Sequence, residues 1–193
     1  MKAQNEMIVI GITGTLGAGK GTIVDYLVRE KCFRHYSVRA FLIREISKSG
    51  MKIDRDSMTH VANKLRADHT PSYITDQLYE EAIKEGASCV IESIRTPGEI
   101  ASLRNKKGFF LMAVDADPKL RYQRIRERNS ETDEVSFETF LSNELREMHS
   151  DDPDKQNLAA CILQADFLLH NDGNLDDLYQ QIELILQKIE KHG

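Results

Sequence analysis

The sequence predicts a three-layer α/β fold, with a five-stranded parallel sheet between layers of helices. Two observations carry this. Short apolar runs alternate with longer segments of helical period, and each of the four prolines follows a residue able to cap a helix. Strands separated by helices pair in parallel through crossovers, and these cover both faces of the sheet.

In chain order the predicted strands are Met7 to Thr13, Phe33 to Ser37, Ser88 to Ile94, Phe109 to Val114 and Ala165 to His170. Helix starts are marked at Thr70-Pro71, Thr96-Pro97, Asp117-Pro118 and Asp152-Pro153. At each, a side-chain oxygen stands at the N-cap and a preset φ at the first helical position. Thr96-Pro97-Gly98-Glu99 also fits a capping box. Another helix runs from about Asp54 and ends near Asn63 and Arg66. The spacing of Leu175, Leu178, Ile182, Ile185 and Ile189 predicts the inner stripe of a closing helix.

With 193 residues, 40% hydrophobic and 30% charged, the chain has the size of one domain spanning 1–193. The apolar content excludes a disordered chain, and the longest greasy run, Phe109 to Val114, is far short of the ~20 residues that span a bilayer. Residues 1–6 show no apolar signal core, so a cytoplasmic protein is expected. The three cysteines, Cys32, Cys89 and Cys161, lie at wide spacings beside apolar residues and read as small core side chains. No histidine falls in a metal-ligand pattern such as His-Glu-x-x-His. A net charge of −5 argues against a polymeric nucleic-acid partner, so an anionic ligand has to be held by locally concentrated donors.

The strongest chemical signal is Gly11-Ile12-Thr13-Gly14-Thr15-Leu16-Gly17-Ala18-Gly19-Lys20-Gly21-Thr22, between a predicted strand and an amphipathic helix. Phosphate oxygens need several N–H donors converging on one point, which the residues from Gly14 to Thr22 supply, with glycines allowing close approach. The following helix aims its positive end there, and Lys20 adds a mobile cation for β- and γ-phosphates. The strict pattern G-x-x-x-x-G-K-[ST] is missed by one place, because Gly21 follows the lysine and the hydroxyl arrives at Thr22. This is the phosphate loop of a nucleoside-triphosphate site.

The Gly14 to Thr22 run, ending Gly-Lys-Gly-Thr, resembles the loop of adenylate kinases and related P-loop nucleoside monophosphate kinases. Ser88 to Arg95 resembles their third-strand segment, Val114 to Pro118 their lid entry, and Ala165 to Gly173 the last strand and turn of dephospho-CoA kinases. The resemblance implies a P-loop fold with ATP and Mg²⁺, a helical acceptor-binding flap over about 38–86 and a short lid over about 121–136. It places acceptor-phosphate contacts at Arg39 or Arg44, although the family's Asp-x-Leu-Arg form is absent from Phe41-Leu42-Ile43-Arg44. Asn63 and Arg66 fall in the flap.

Phosphoryl transfer is mainly a matter of positioning anions and neutralising charge, so arginines count for more than a nucleophile. Arg95 follows a central strand at the sheet end where ligands bind. Glu92, ending that strand, is placed to hold a Mg²⁺-bound water, and Thr22 is the other expected metal contact. Arg121, Arg124 and Arg128 are spaced three and four apart and share a helix face that would close over the triphosphate, while Arg126 points elsewhere. The expected catalytic groups are therefore Lys20, Arg95, Arg124 and Arg128, with Arg39, Arg44, Arg66 and Arg95 binding the acceptor. A solvated helix face is the ordinary alternative for each exposed arginine. No cysteine cluster exists to support a zinc-bearing lid.

Three functions follow. The first is transfer of the γ-phosphoryl of MgATP to a nucleoside or deoxynucleoside monophosphate. The second keeps the donor but moves the phosphoryl to the ribose hydroxyl of dephospho-CoA. Such an acceptor benefits from a carboxylate after the second strand, where Ser37-Val38-Arg39-Ala40 offers none. The third is a regulatory ATPase without a small acceptor. The Asn-Lys-x-Asp of GTPases and the Ser-Gly-Gly of transporter ATPases are missing.

Overall fold

A computed structural model describes residues 7–128, 135–152 and 155–192. Its elements run β1 (Val9–Gly14), α1 (Lys20–Lys31), β2 (Arg34–Ser37), α2 (Val38–Lys48), α3 (Arg55–Asp68), α4 (Tyr73–Glu85) and β3 (Cys89–Glu92). They continue with α5 (Pro97–Arg104), β4 (Phe109–Asp115), α6 (Pro118–Arg128), α7 (Phe137–Met148), α8 (Leu158–Leu163), β5 (Phe167–His170) and α9 (Leu175–His192). The sheet has five parallel strands in the order β2-β3-β1-β4-β5. All five predicted strands are present.

Successive residues of a strand point to opposite faces, and β1, β3 and β4 each feed two cores. Ile10, Ile12, Val90, Met112 and Val114 pack against Ile23 and Leu27 of α1 and Leu178 and Ile182 of α9. Val9, Cys89, Ile91, Phe109 and Leu111 pack on the other face with Phe41 and Ile46 of α2, Leu78 of α4, Ile100 of α5 and Cys161 of α8. The continuous apolar runs are therefore explained by burial on both sides.

The order of strands creates the site. From β1 the chain crosses to β2 at one edge, whereas from β3 it crosses to β4 on the other side of β1. The two departing connections separate above the paired ends of β1 and β3, where Ile12 sits beside Glu92. In open parallel sheets this divergence is where ligands bind.

The caps mostly follow the sequence. Thr96 and Glu99 form the full capping box of α5, Asp54 caps α3 and Asp117 accepts from the N–H groups of Lys119 and Leu120. At Thr70-Pro71 the expectation fails by two residues: Thr70 O accepts from Tyr73 N at 3.0 Å, so Pro71 occupies a turn and Ser72 stands at the N-cap. The start expected at Asp152-Pro153 falls on residue 153, outside the described residues, and the next helix is capped by Asn157. Leu175 is 51% exposed, because α9 meets the sheet only from Leu178 onward. Cys89 and Cys161 are buried as expected, with burial pushing both thiols up to about 12. Cys32 is exposed, since it closes α1 with φ of 58° and lies outside the core.

Glu99 does more than cap. Its Oε2 accepts from the backbone N–H of Arg95 at 2.8 Å and of Thr96 at 3.0 Å, while Oε1 takes the Arg66 guanidinium at 3.0 Å. Both ends of the ion pair are almost completely buried, at 2% and 0% exposure. Removing one partner leaves a buried charge unmatched. Glu99→Ala is expected to destabilise the fold by about 3–5 kcal/mol, read as a lowered urea midpoint at constant slope.

Candidate functional site: a cationic cleft over the phosphate loop

The loop between β1 and α1 is held from outside. Arg121, 2% exposed, reaches Leu16 O at 3.2 Å, and Asn171, 8% exposed, reaches Ala18 O at 2.8 Å. Lys20 Nζ donates to Gly14 O at 2.7 Å and Thr15 O at 2.8 Å, and the Thr15 hydroxyl is fixed on Asp115 at 2.6 Å. With these carbonyls occupied by protein donors, the loop's N–H groups remain for a ligand. Gly19, at φ of 105°, has no room for a side chain, because a Cβ would approach Asn171 Nδ2 to 2.3 Å. Gly21 is the opposite case, with nothing within 4 Å of a built Cβ, so its bareness opens the cleft itself.

A cleft of about 690 Å³ lies over this loop. Its floor is Leu16, Gly17, Gly19, Lys20, Gly21 and Thr22, whereas Gly14, Thr15 and Ala18 are buried behind it. One wall is aliphatic, from Val38, Leu42, Met58 and Ala62, with Arg39 and Arg66 beside them. Glu92, Ser93 and Arg95 come from the end of β3, and Arg124 and Arg128 from α6. Six cations face three carboxylates, Glu92, Glu127 and Glu147, so the lining is positive in a chain of net charge −5. Ser93 is left-handed at φ of 67°, unusual for a residue with a Cβ, and it turns the chain away from Glu92 at the ligand end of the sheet.

Burial, reinforced by the Arg95 charge, lowers the Lys20 pKa to about 7, with Glu92 and Glu147 opposing the shift. Burial acts to raise the Glu92 carboxyl, but the neighbouring His35 imidazole, the Ser37 hydroxyl and the Lys20 charge hold it below the usual range. Ser37 Oγ donates to Glu92 Oε1 at 3.0 Å, and His35 Nε2 lies 3.5 Å from the same oxygen. An ionised carboxylate and the Thr22 hydroxyl lining one cleft are oxygen donors of the type Mg²⁺ takes. Among the described residues there is no cluster of three or more His, Cys, Asp or Glu positioned to bind a metal unaided.

A family model described as AAA domain matches residues 10–152. A UPF0200 protein of Methanothermobacter thermautotrophicus is 30% identical over 191 residues, covering 97% of this chain and 94% of the relative. The chain belongs to the AAA domain family and to the UPF0200 proteins. A second UPF0200 protein, from Methanocaldococcus jannaschii, is 28% identical over 95% of this chain and 91% of its own. Among solved structures, TT1252 from Thermus thermophilus superimposes with a TM-score of 0.64 at 22% identity, covering 95% of this chain and 98% of that one. Shikimate kinase from Bacteroides thetaiotaomicron gives 0.59 at 12% identity, over 95% and 99% of the two chains. These likenesses show the fold, and the resemblance to P-loop kinases holds.

In this UPF0200 chain the cleft brings together Lys20, Thr22, Arg39, Arg66, Glu92, Arg95, Arg124 and Arg128 of the residues expected from sequence. It leaves out Arg44, which is exposed and pairs with Glu81 at 3.0 Å, two residues beyond the lining residue Leu42 on α2 and so turned away from the cleft. Arg121 shares a helix with Arg124 but serves the loop from behind, gripped by Glu144 through contacts of 2.6 and 2.9 Å. Arg66 is buried and Asn63 half-buried, so neither is a solvated flap residue. Two buried guanidinium nitrogens, Arg66 Nε and Arg124 Nη1, have no hydrogen-bond partner among the described residues. The acidic lid segment Asn129 to Val135 lies, apart from Val135, outside the described residues.

Sequence reasoning missed Asn171, Glu144, Glu147, Gln156 and Ser93. Asn171 follows a predicted strand end, and that position was its one available signal. Asn171→Ala is expected to lower stability by about 1–3 kcal/mol by leaving the Ala18 carbonyl unpaired, and amide exchange in the loop should accelerate with it.

Proposed function

We propose that the protein is an ATP-dependent phosphotransferase that moves the γ-phosphoryl group of MgATP to the phosphate of a nucleoside or deoxynucleoside monophosphate, in cytoplasmic nucleotide metabolism. The observation that supports this best is the pairing of the phosphate loop with a wall from α2 and α3 whose lining bears arginines and no carboxylate: Arg39 and Arg66 stand beside Val38, Leu42, Met58 and Ala62. A phosphate acceptor is already an anion near neutral pH and needs cations, whereas an alcohol needs a base.

On this reading the loop N–H groups and Lys20 hold the β- and γ-phosphates. The apolar wall takes the nucleoside, and Arg39, Arg66 and Arg95 orient the acceptor phosphate. Arg124 and Arg128 approach from α6 to offset the charge spread over the transferred group. Thr22 and Glu92 would hold Mg²⁺ directly or through water, and the ion would neutralise charge between the β- and γ-oxygens.

Glu92 favours a second reading, in which the acceptor is a hydroxyl such as that of dephospho-CoA. A carboxylate kept ionised in the cleft is able to accept its proton. Structural neighbours named for shikimate and gluconate keep that class in view.

Purified protein with MgATP and a panel of nucleoside and deoxynucleoside monophosphates, dephospho-CoA, shikimate and gluconate separates the readings. Stoichiometric diphosphate from one monophosphate is expected. Product from a hydroxyl acceptor alone selects the second reading, and hydrolysis indifferent to every acceptor selects a regulatory ATPase. Lys20→Ala is expected to lower kcat by about 10²–10³, and Arg124→Ala or Arg128→Ala to lower kcat more than they raise KM.

Nucleotide binding should also take up a proton. The free Lys20 pKa is about 7, and triphosphate oxygens beside it raise that value. Affinity therefore falls as pH rises from about 7 towards the pKa of the complex. Calorimetry at pH 8 in buffers of different ionisation enthalpy measures this uptake directly.

A further inference from the structure

Glu147 lines the cleft, yet phosphoryl transfer as described gives it no task. It lies in the last turn of α7 with an 18% exposed side chain, and its Oε2 accepts from Arg95 Nη1 at 2.5 Å. The same Nη1 donates to Gln156 Oε1 at 2.7 Å. The Arg95 backbone is pinned on both sides, its N–H on Glu99 and its carbonyl accepting from Asn157 N at 2.9 Å.

A carboxylate presents to arginine the same chemistry as a phosphate: two oxygens in a plane, each an acceptor, with negative charge. The two differ in charge, because a phosphate monoester approaches two negative charges near neutral pH. α7 is also anchored before Glu147, by the buried Phe140 and by Glu144, which Arg121 holds one turn earlier.

We propose that Glu147 is an acceptor mimic: its carboxylate holds the Arg95 guanidinium in the open cleft and yields it to the phosphate of an incoming acceptor. The proposal rests on the reading that the acceptor carries a phosphate. Any anion that takes Arg95 must first displace Glu147, so the carboxylate lowers the affinity of every ligand of that guanidinium.

The test uses the full chain with saturating ADP, inorganic phosphate as dianionic probe and methyl hydrogen methylphosphonate as monoanionic probe. Binding is measured for wild type, Glu147→Gln, Arg95→Ala and the double variant. Glu147→Gln is expected to bind phosphate about tenfold more tightly and the monoanion at least as much more tightly, with no such gain in the Arg95→Ala background. KM for the acceptor found by the panel should fall with it, and KM for ATP should not. Unchanged or weaker phosphate binding by Glu147→Gln, with an unaltered thermal midpoint, overturns the proposal. Should Glu147→Gln fail to fold, Glu147→Asp withdraws the carboxylate by one methylene while keeping its charge. Tighter phosphate binding by that variant supports the mimic, and unchanged binding overturns it. Tighter binding without turnover of any monophosphate leaves the mimic standing and sinks the kinase assignment. Turnover with binding and KM unaltered by Glu147→Gln does the reverse.

Discussion

A loop that wraps a phosphate turns its N–H groups inward and must find donors elsewhere for its carbonyls. Most of the site follows from that accounting. Leu16 O needs Arg121, Ala18 O needs Asn171, and Gly14 O and Thr15 O take Lys20. Arg121 in turn needs Glu144 and Ala116 O, and Asn171 is placed by its own N–H on Asp115 O at 2.9 Å. In this way a few backbone oxygens recruit β4, β5, α6 and α7.

The same helix serves two purposes along its length. On α6, Arg121 faces the loop from behind while Arg124 and Arg128 line the cleft. Charge is sorted accordingly: the chain as a whole is acidic, but cations outnumber carboxylates in the cleft. A low overall charge discourages polyanions, and local concentration still attracts a small one.

What the sequence made legible was local. Apolar runs marked five strands, the Thr96 to Glu99 spacing marked a cap, and glycines before Lys20 marked the loop, because each signal is complete within a dozen residues. Lys20, Arg95, Arg124 and Arg128, expected from a loop motif, a strand end or a readable helix face, line the cleft, as do Arg39 and Arg66, which the resemblance placed. What stayed hidden depends on partners far along the chain. Asn171 meets Ala18 across 153 residues, and Arg121 meets Glu144 across 23. Arg44 looked like Arg39 from sequence, but only Arg39 lines the cleft, while Arg44 turns to Glu81 on α4. Cys32 looked apolar in context, but the backbone turn that ends α1 decides its exposure.

Glu144 and Glu147 stand three positions apart on α7, one reaching the arginine behind the loop and the other the arginine at the end of β3. One helical turn is therefore a fixed spacer between the half of the cleft over the phosphate loop and the half at the end of β3. Each added residue rotates a helix by roughly 100°, so an insertion between these two positions would detach one half from the other. Length variation among related chains should accordingly collect before Glu144 or after Glu147, and the four residues from one to the other should keep a constant count.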